Sequence, residues 1–439
     1  MKQHYQKEFE NRVIIPAIQF MQRERSSGIV LGLSVIVALI LANSPLREQY
    51  FSCLDSHFGF VFNGKPYLNF TLEHWINDGL MSMFFFVVGL ELKHEFIGGE
   101  LKDIRNVTLP IMAAIFGMLV PAVFYSAFNW GTSVSAGWGI PMATDIAFAL
   151  AVLYLLGDRV PGSIKVFLTT LAIVDDLGSV LVIALFYTSH ISLASLFVGF
   201  GFLLIMLIGN KLGVKNVWFY GLLGIGGVWV AFLMSGIHAT IAAVLSALVI
   251  PADSHIPEVA FIARAKKLVK QFEQAEGNTV QTLEPEQMEI LSKVRADSRG
   301  AMPPLQRLEH GMQPIVAYII MPIFALGNAG ISFTDMDLTL LTQNNVALGV
   351  FVGLLLGKPL GILMAVWITE KVKLGKRSRH MTWRRLTGLG FLASIGFTMS
   401  MFVTMLAFGN ADYQTQAKVA ILAASLLGGL IGYQILKRQ

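Results

Sequence analysis

Two aspartates stand side by side, Asp175-Asp176, inside the apolar run FLTTLAIVDDLGSVLVIALFYT, and a third, Asp145, stands in the preceding apolar run GWGIPMATDIAFALAVLYLL. A carboxylate in hydrocarbon costs roughly 3 kcal/mol on insertion scales, so it is kept only with a partner or a task. Carboxylate oxygens suit hard cations, and they also take protons. On a helix successive residues lie about 100° apart, so Asp175 and Asp176 cannot both face one point. One faces a pathway while the other faces a neighbouring helix, and Asp145, from a different helix, is free to join either. A site that holds a proton or a small cation, never both, and opens alternately to the two sides is an antiporter. The plain alternative is a buried, hydrogen-bonded structural pair.

A lysine stands equally deep. Lys358 is the one basic residue of VFVGLLLGKPLGILMAVWI, and snorkelling from mid-span is difficult. The reading expects a carboxylate partner among the three aspartates, with proton exchange on the lysine itself as a second possibility. His238, in SGIHATIAA at a span start, titrates in the physiological range unless it is a structural histidine. Glu91, Glu95 and Glu309, beside His310, lie at span ends on one side, where a funnel or sensor and ordinary interface charges look alike.

These residues need elements that hold them at mid-membrane. The run bearing Asp145 is interrupted by Gly137, Gly139 and Pro141 just before Thr144, and LGFLASIGFTMSMFVTML is interrupted at Ser394-Ile395-Gly396. Glycine and proline weaken the backbone ladder and free groups to meet an ion or a half-helix end. Two broken helices in corresponding halves of a transporter point to a midplane site.

Composition agrees. Hydrophobic residues make up 54% and charged residues 14%, against about 25% charged in soluble domains. The apolar runs are continuous rather than alternating, so the fold class is an all-α polytopic membrane protein and not an outer-membrane barrel. Twelve candidate spans lie near 28–44, 77–97, 107–128, 137–157, 163–187, 193–210, 216–234, 236–250, 313–333, 346–369, 386–408 and 415–436. Lysine and arginine fill alternate loops: the N-terminus, ELKHEFIGGELKDIRN, GDRVPGSIK, NKLGVK, the stretch after 252, EKVKLGKRSRHMTWRR and LKRQ. The intervening loops carry only Arg47 and Lys65. The positive-inside rule then places both termini in the cytoplasm. Because the basic residues cluster this way, the net charge of +5 does not indicate nucleic-acid binding.

Two segments lie outside the bilayer in this reading. The periplasmic loop 45–76 holds FGFVFNGKPYLNF, where Asn63-Gly64 between aromatic and β-branched runs favours a type I′ β-hairpin. An isolated hairpin is marginal, so a second copy of the same hairpin is its simplest partner. The cytoplasmic insertion 252–308 reads as two charged, partly amphipathic helices punctuated by Pro285, Pro303 and Pro304, either a mobile linker or a regulatory element. The single cysteine, Cys53, excludes an intrachain disulfide, and the polar, mixed-charge start does not resemble a cleaved signal peptide.

The strings INDGLMSMFFFVVGLELKHE, PMATDIAFAL, LTTLAIVDDLGSVLVIALFYT, SGIHATIA, RLEH, PIFALGNAG, GKPLGI and SIGFTMSMF closely resemble the NhaA-type Na⁺/H⁺ antiporters of bacterial inner membranes, from about residue 12 to the end outside the insertion. The resemblance implies a single antiporter domain with about twelve transmembrane helices and two inverted three-helix repeats, near 107–187 and 346–436, whose broken helices cross by Asp145; the family is itself an example of that architecture. It implies electrogenic export of Na⁺ or Li⁺ against two entering protons, with no cofactor. By the same resemblance Asp176 is the main ligand for Na⁺, Li⁺ and protons, Asp175 is its companion, and Thr144 belongs to the same motif. Asp145 and Lys358 balance half-helix dipole ends, while Glu91, Glu95, His238 and Glu309 match positions linked with pH response. The hairpin near 58–69 matches a homodimer contact. Three departures bear on the pH profile: Ala-Ser-Ile-Gly at the second break, Gln313 where a histidine is common, and the longer insertion.

Three other functions compete. An intramembrane aspartyl protease would pair Asp145 with Asp176, but the Tyr-Asp and Gly-x-Gly-Asp motifs of that class are missing. A Na⁺-coupled symporter needs a polar substrate pocket that the spans do not suggest. A channel is poorly served by carboxylates that bind protons tightly.

Overall fold

The computed structural model describes residues 26–62, 65–99, 101, 104–188, 192–275, 282–333, 345–375 and 377–438. The chain is helical almost throughout. The apolar helix α1 (Ser26–Ala42) turns through 114° into the short polar helix α2 (Arg47–Leu54). Strands β1 (His57–Phe62) and β2 (Lys65–Thr71) pair antiparallel, with Phe62 opposite Lys65 and an irregularity between Phe58 and Phe60. That register leaves two residues for the turn, as an Asn-Gly hairpin requires; Asn63 and Gly64 themselves lie outside the described residues. The hairpin sits on its own chain: Trp75 Nε1 donates to the Phe58 carbonyl at 2.8 Å, and Phe70 stacks on His74.

Helix α3 (Met81–Ile97) follows directly on wider turns at Trp75–Leu80. Then come α4 (Ile104–Asn129), the tight 3₁₀ half-helix Ser135–Met142, α5 (Ile146–Leu155) and α6 (Gly162–Phe186). Helices α7 (Leu193–Lys211), α8 (Val217–Ser235) and α9 (Ala239–Val249) complete the first part. After the insertion, α12 (Pro304–Asn328), α13 (Val346–Lys371), the bent pair α14 (Trp383–Ala393) and α15 (Phe397–Ala407), and α16 (Ala411–Lys437) close the molecule.

By length and apolarity, eight of the described helices qualify as spans, or up to ten if each bent pair counts as one. Each of the twelve expected segments falls on a helix, but α3 and α9, at 17 and 11 residues, are not among those that qualify. One boundary moves: the span expected at 313–333 runs from Pro304 to Asn328, so it takes in the end of the expected insertion. Outward faces carry apolar side chains, such as Phe197, Leu204 and Ile208 on α7, as a surface solvated by acyl chains requires.

The insertion is two packed helices rather than a loose linker. Pro285 begins α11 (Pro285–Ala301) behind a capping box of Glu284 and Gln287, and Pro304 begins α12. Helix α10 (Glu258–Gln274) runs antiparallel to α11, with His255 and Ile256 amides donating to the Gly300 carbonyl at one end and Leu268 and Ile290 buried.

A pattern of long helix, broken helix and long helix occurs twice: α4, Ser135–Leu155 and α6, then α13, Trp383–Ala407 and α16. The two leading helices approach almost backbone to backbone. A Cβ at Gly361 of α13 would run into the Phe116 carbonyl of α4, and one at Gly357 into the Pro121 backbone. In a membrane, where apolar burial gives little drive between helices, such small-residue contacts carry the packing.

Candidate ion-binding site

The first break lies slightly beyond where glycine and proline suggested. Gly137, Gly139 and Pro141 are absorbed in the 3₁₀ half-helix, and the chain runs extended only from Ala143 (φ −76°, ψ 146°) to Asp145 (φ −88°, ψ 96°), which caps α5. The tightly wound 3₁₀ form runs through all three over eight residues, Ser135–Met142. The second break falls where expected, Ser394–Gly396, with a 48° bend between α14 and α15.

The two breaks touch. The Asp145 amide donates to the Ile395 carbonyl at 2.6 Å, and the Thr144 hydroxyl donates to the Ala393 carbonyl at 3.0 Å. Asp145 Oδ1 accepts from the Phe148 amide at 3.1 Å, while Oδ2 accepts from the Thr398 amide at 3.1 Å and its hydroxyl at 2.6 Å. One carboxylate therefore caps two helix N-termini, α5 and α15, where unpaired N–H groups concentrate positive charge. Helix C-termini are negative, and there Lys358 donates from Nζ to the Met142 carbonyl, the last of the 3₁₀ half-helix. Ser400 Oγ ties α15 to the same half-helix by donating to the Ile140 carbonyl at 2.8 Å.

Asp175 and Asp176 arrive from α6, exposed only 0% and 2%. Their roles differ because the helix turns them apart. Asp175 Oδ2 lies 2.7 Å from Lys358 Nζ in an ion pair with both side chains fully buried. Asp176 has no such cation among the described residues. Oδ1 of each aspartate is buried without a hydrogen-bond partner. Asp145 differs from them in that both of its oxygens accept hydrogen bonds, from Phe148 and from Thr398.

The residues read as pH-responsive divide. Glu309, 8% exposed, is 3.0 Å from His94 Nδ1, and Gln313 Nε2 reaches Glu91 at 3.4 Å. Glu95 is one turn further along α3, its carboxylate beside Gly99. His238 is elsewhere, with Nε2 2.9 Å from the Tyr187 carbonyl just past the far end of α6. The sequence reading missed His94 in this group, although it stands three residues after Glu91 and so on the same helix face. It also missed Thr398, whose place two residues after the second break puts its amide and hydroxyl opposite Asp145.

The chain is similar to known proteins along almost its whole length. The family model described as Na⁺/H⁺ antiporter 1 matches residues 18–436. The chain is 45% identical over 428 residues to the protein named Na(+)/H(+) antiporter NhaA in Oleidesulfovibrio alaskensis, covering 97% of this chain and 94% of that one. A protein named Na(+)/H(+) antiporter NhaA 2 in Syntrophotalea carbinolica is 45% identical over 430 residues, 96% of each chain. One named Na(+)/H(+) antiporter NhaA in Helicobacter pylori is 44% identical over 428 residues, 97% of this chain and 96% of that one.

Proposed function

This chain belongs to the Na⁺/H⁺ antiporter 1 family and is a multi-pass Na⁺/H⁺ antiporter, not an enzyme, and from that premise we propose that Na⁺ and protons compete for Asp176. The observation that carries the proposal is the asymmetry of the pair. Lys358 holds Asp175, whereas Asp176 is buried with one oxygen unpaired and no fixed ammonium against it. A buried carboxylate without a partner must be neutralised, by a proton or by a small cation. Occupancy by one excludes the other, and alternate exposure of the site then couples their movements.

Asp175 and Thr144 complete the surroundings, and Li⁺ is carried by the same seat. Asp145 and Lys358 hold the crossing half-helices together. Exchange is electrogenic, two protons entering as one Na⁺ or Li⁺ leaves, so an inside-negative potential contributes ~2.3 kcal/mol per 100 mV to export. The protein works in the bacterial inner membrane with both termini cytoplasmic and about twelve spans, as the loop charges argue. The Glu91, Glu95 and Glu309 group, with His94, tunes the response to cytoplasmic pH, and the hairpin supports a homodimer. The aspartyl-protease alternative needs Asp145 to share a proton with Asp176, but Asp145 already accepts three hydrogen bonds.

The test is collapse of a pH gradient by Na⁺ and Li⁺ in everted vesicles. The parent should collapse it and Asp176→Asn, inserted to the same level, should not. Normal exchange by Asp176→Asn would remove the assignment.

A further inference from the structure

The pair Asp175–Asp176 offers few oxygens to a cation, since Asp175 Oδ2 is taken by Lys358 and Asp145 is engaged elsewhere. A hard cation needs more, and neutral oxygens must supply them. One stands out on α6. Ser179 is 3% exposed, and its hydroxyl has no hydrogen-bond partner.

An unpaired hydroxyl there is unusual. A serine or threonine within a helix commonly turns its hydroxyl back to the carbonyl four residues earlier. Thr169 does so on the same helix, donating to the Lys165 carbonyl at 3.0 Å, and Thr404 donates to Ser400 at 2.8 Å and Ser34 to Val30 at 3.0 Å. Ser179 leaves the Asp175 carbonyl alone.

Position gives the reason for interest. Ser179 follows Asp175 by four residues and Asp176 by three. At about 100° per residue it points between them, roughly 40° from the first and 60° from the second, one turn further along the helix. Side chains at these spacings have Cβ atoms roughly 5–6 Å apart, a gap that a cation bridges when its oxygens lie at about 2.3–2.6 Å, as for calcium. Three buried oxygens without hydrogen-bond partners, Asp175 Oδ1, Asp176 Oδ1 and Ser179 Oγ, thus fall on one sector of one helix within a turn. The other buried hydroxyls without partners among the described residues, Ser26, Ser163, Thr240, Ser246 and Ser425, have no aspartate within a turn, and all but Ser163, at the start of α6, belong to other helices.

We propose that the Ser179 hydroxyl is a ligand of the transported cation, completing with Asp175 and Asp176 a seat for Na⁺ and Li⁺ on α6. This rests on Asp176 being the exchanging carboxylate. The hydroxyl binds the cation but no proton cargo, so it distinguishes the two occupants: its loss weakens cation binding without removing the group that carries protons.

The test compares the parent with Ser179→Ala, Ser179→Thr and Asp176→Asn. In vesicles, Ser179→Ala should raise KM for Na⁺ and Li⁺ about tenfold, the scale of one neutral contact, with kcat within about twofold; Ser179→Thr should restore KM. In detergent, replacing choline chloride with NaCl should raise the parent's Tm through ligand linkage and raise that of Ser179→Ala less. Without Na⁺, Ser179→Ala should melt no lower than the parent, because an unpaired buried hydroxyl contributes no bond to lose. Parental KM and a parental Na⁺-induced Tm rise in Ser179→Ala, with Asp176→Asn inactive, overturn the ligand and leave the carboxylate assignment standing. A raised KM that Ser179→Thr fails to reverse also overturns it, since packing is then responsible. Normal exchange by Asp176→Asn removes both readings together.

Discussion

Lys358 and Asp175 are both fully buried and 2.7 Å apart, so neither charge has water to replace its partner. Removing one member of a buried pair typically costs about 3–5 kcal/mol, mostly because the other is stranded. Lys358→Ala should therefore lower Tm as well as transport, and Lys358→Ala combined with Asp175→Asn should recover part of the stability. A melting curve unchanged by Lys358→Ala would contradict the pairing. The need for this pair was legible in the sequence, since a mid-span lysine must find a carboxylate. Its identity was not. Whether Asp145, Asp175 or Asp176 faces Lys358 depends on the rotation and crossing of three helices, which no local pattern encodes. Thr398 escaped for the same reason: its amide and hydroxyl matter only because Asp145 lies opposite, 253 residues away in sequence.

Half-helix ends are the elements on which the site is built, and three of the four meet a charge of the opposite sign, Asp145 at two N-termini and Lys358 at a C-terminus, while the C-terminus of α14 meets the Thr144 hydroxyl. The second break was legible because Gly396 interrupts an otherwise unbroken apolar run; the first was displaced because a 3₁₀ half-helix accommodates the glycines and Pro141. At the base of the β1–β2 hairpin, His74 lies 2.9 Å from Asp78 one turn away. The Asp78 carboxylate beside the ring holds the His74 pKa above the ordinary imidazole range. A raised imidazole pKa contributes stability that is full below the unfolded pKa and is lost as pH rises through the folded one. Asp78→Asn should accordingly speed amide exchange in β2 at pH 6 and leave it unchanged at pH 9; equal effects at both would exclude the ionic pair. The α10–α11 hairpin was legible as helices from its periodicity and prolines, but its packing on itself was not. Because it closes on its own ends near His255 and Gly300, deleting 258–302 should leave Na⁺-dependent exchange measurable. Complete loss in a normally inserted protein would make the hairpin part of the mechanism.

Across the whole molecule, the twice-used order of long, broken and long helix places the aspartate pair of α6, Lys358 of α13 and both breaks at one point. The all-helical class was legible from hydropathy, because each span must satisfy its backbone internally, whereas the repeat order came with the family resemblance. The close seam of α4 and α13 was not, since Gly357 and Gly361 acquire meaning only opposite Pro121 and Phe116. In the exchange proposed above, such a frame holds one buried carboxylate, Asp176, for two competing occupants, and the competition itself is open to measurement. It is measured most directly as proton release: Na⁺ or Li⁺ is added to purified protein in weakly buffered detergent solution and the pH is followed. The parent should release protons as the cation binds, saturably and less at higher pH, and Asp176→Asn should release none. A parent that takes up Na⁺ without releasing protons, or an Asp176→Asn variant that releases as many, would contradict it.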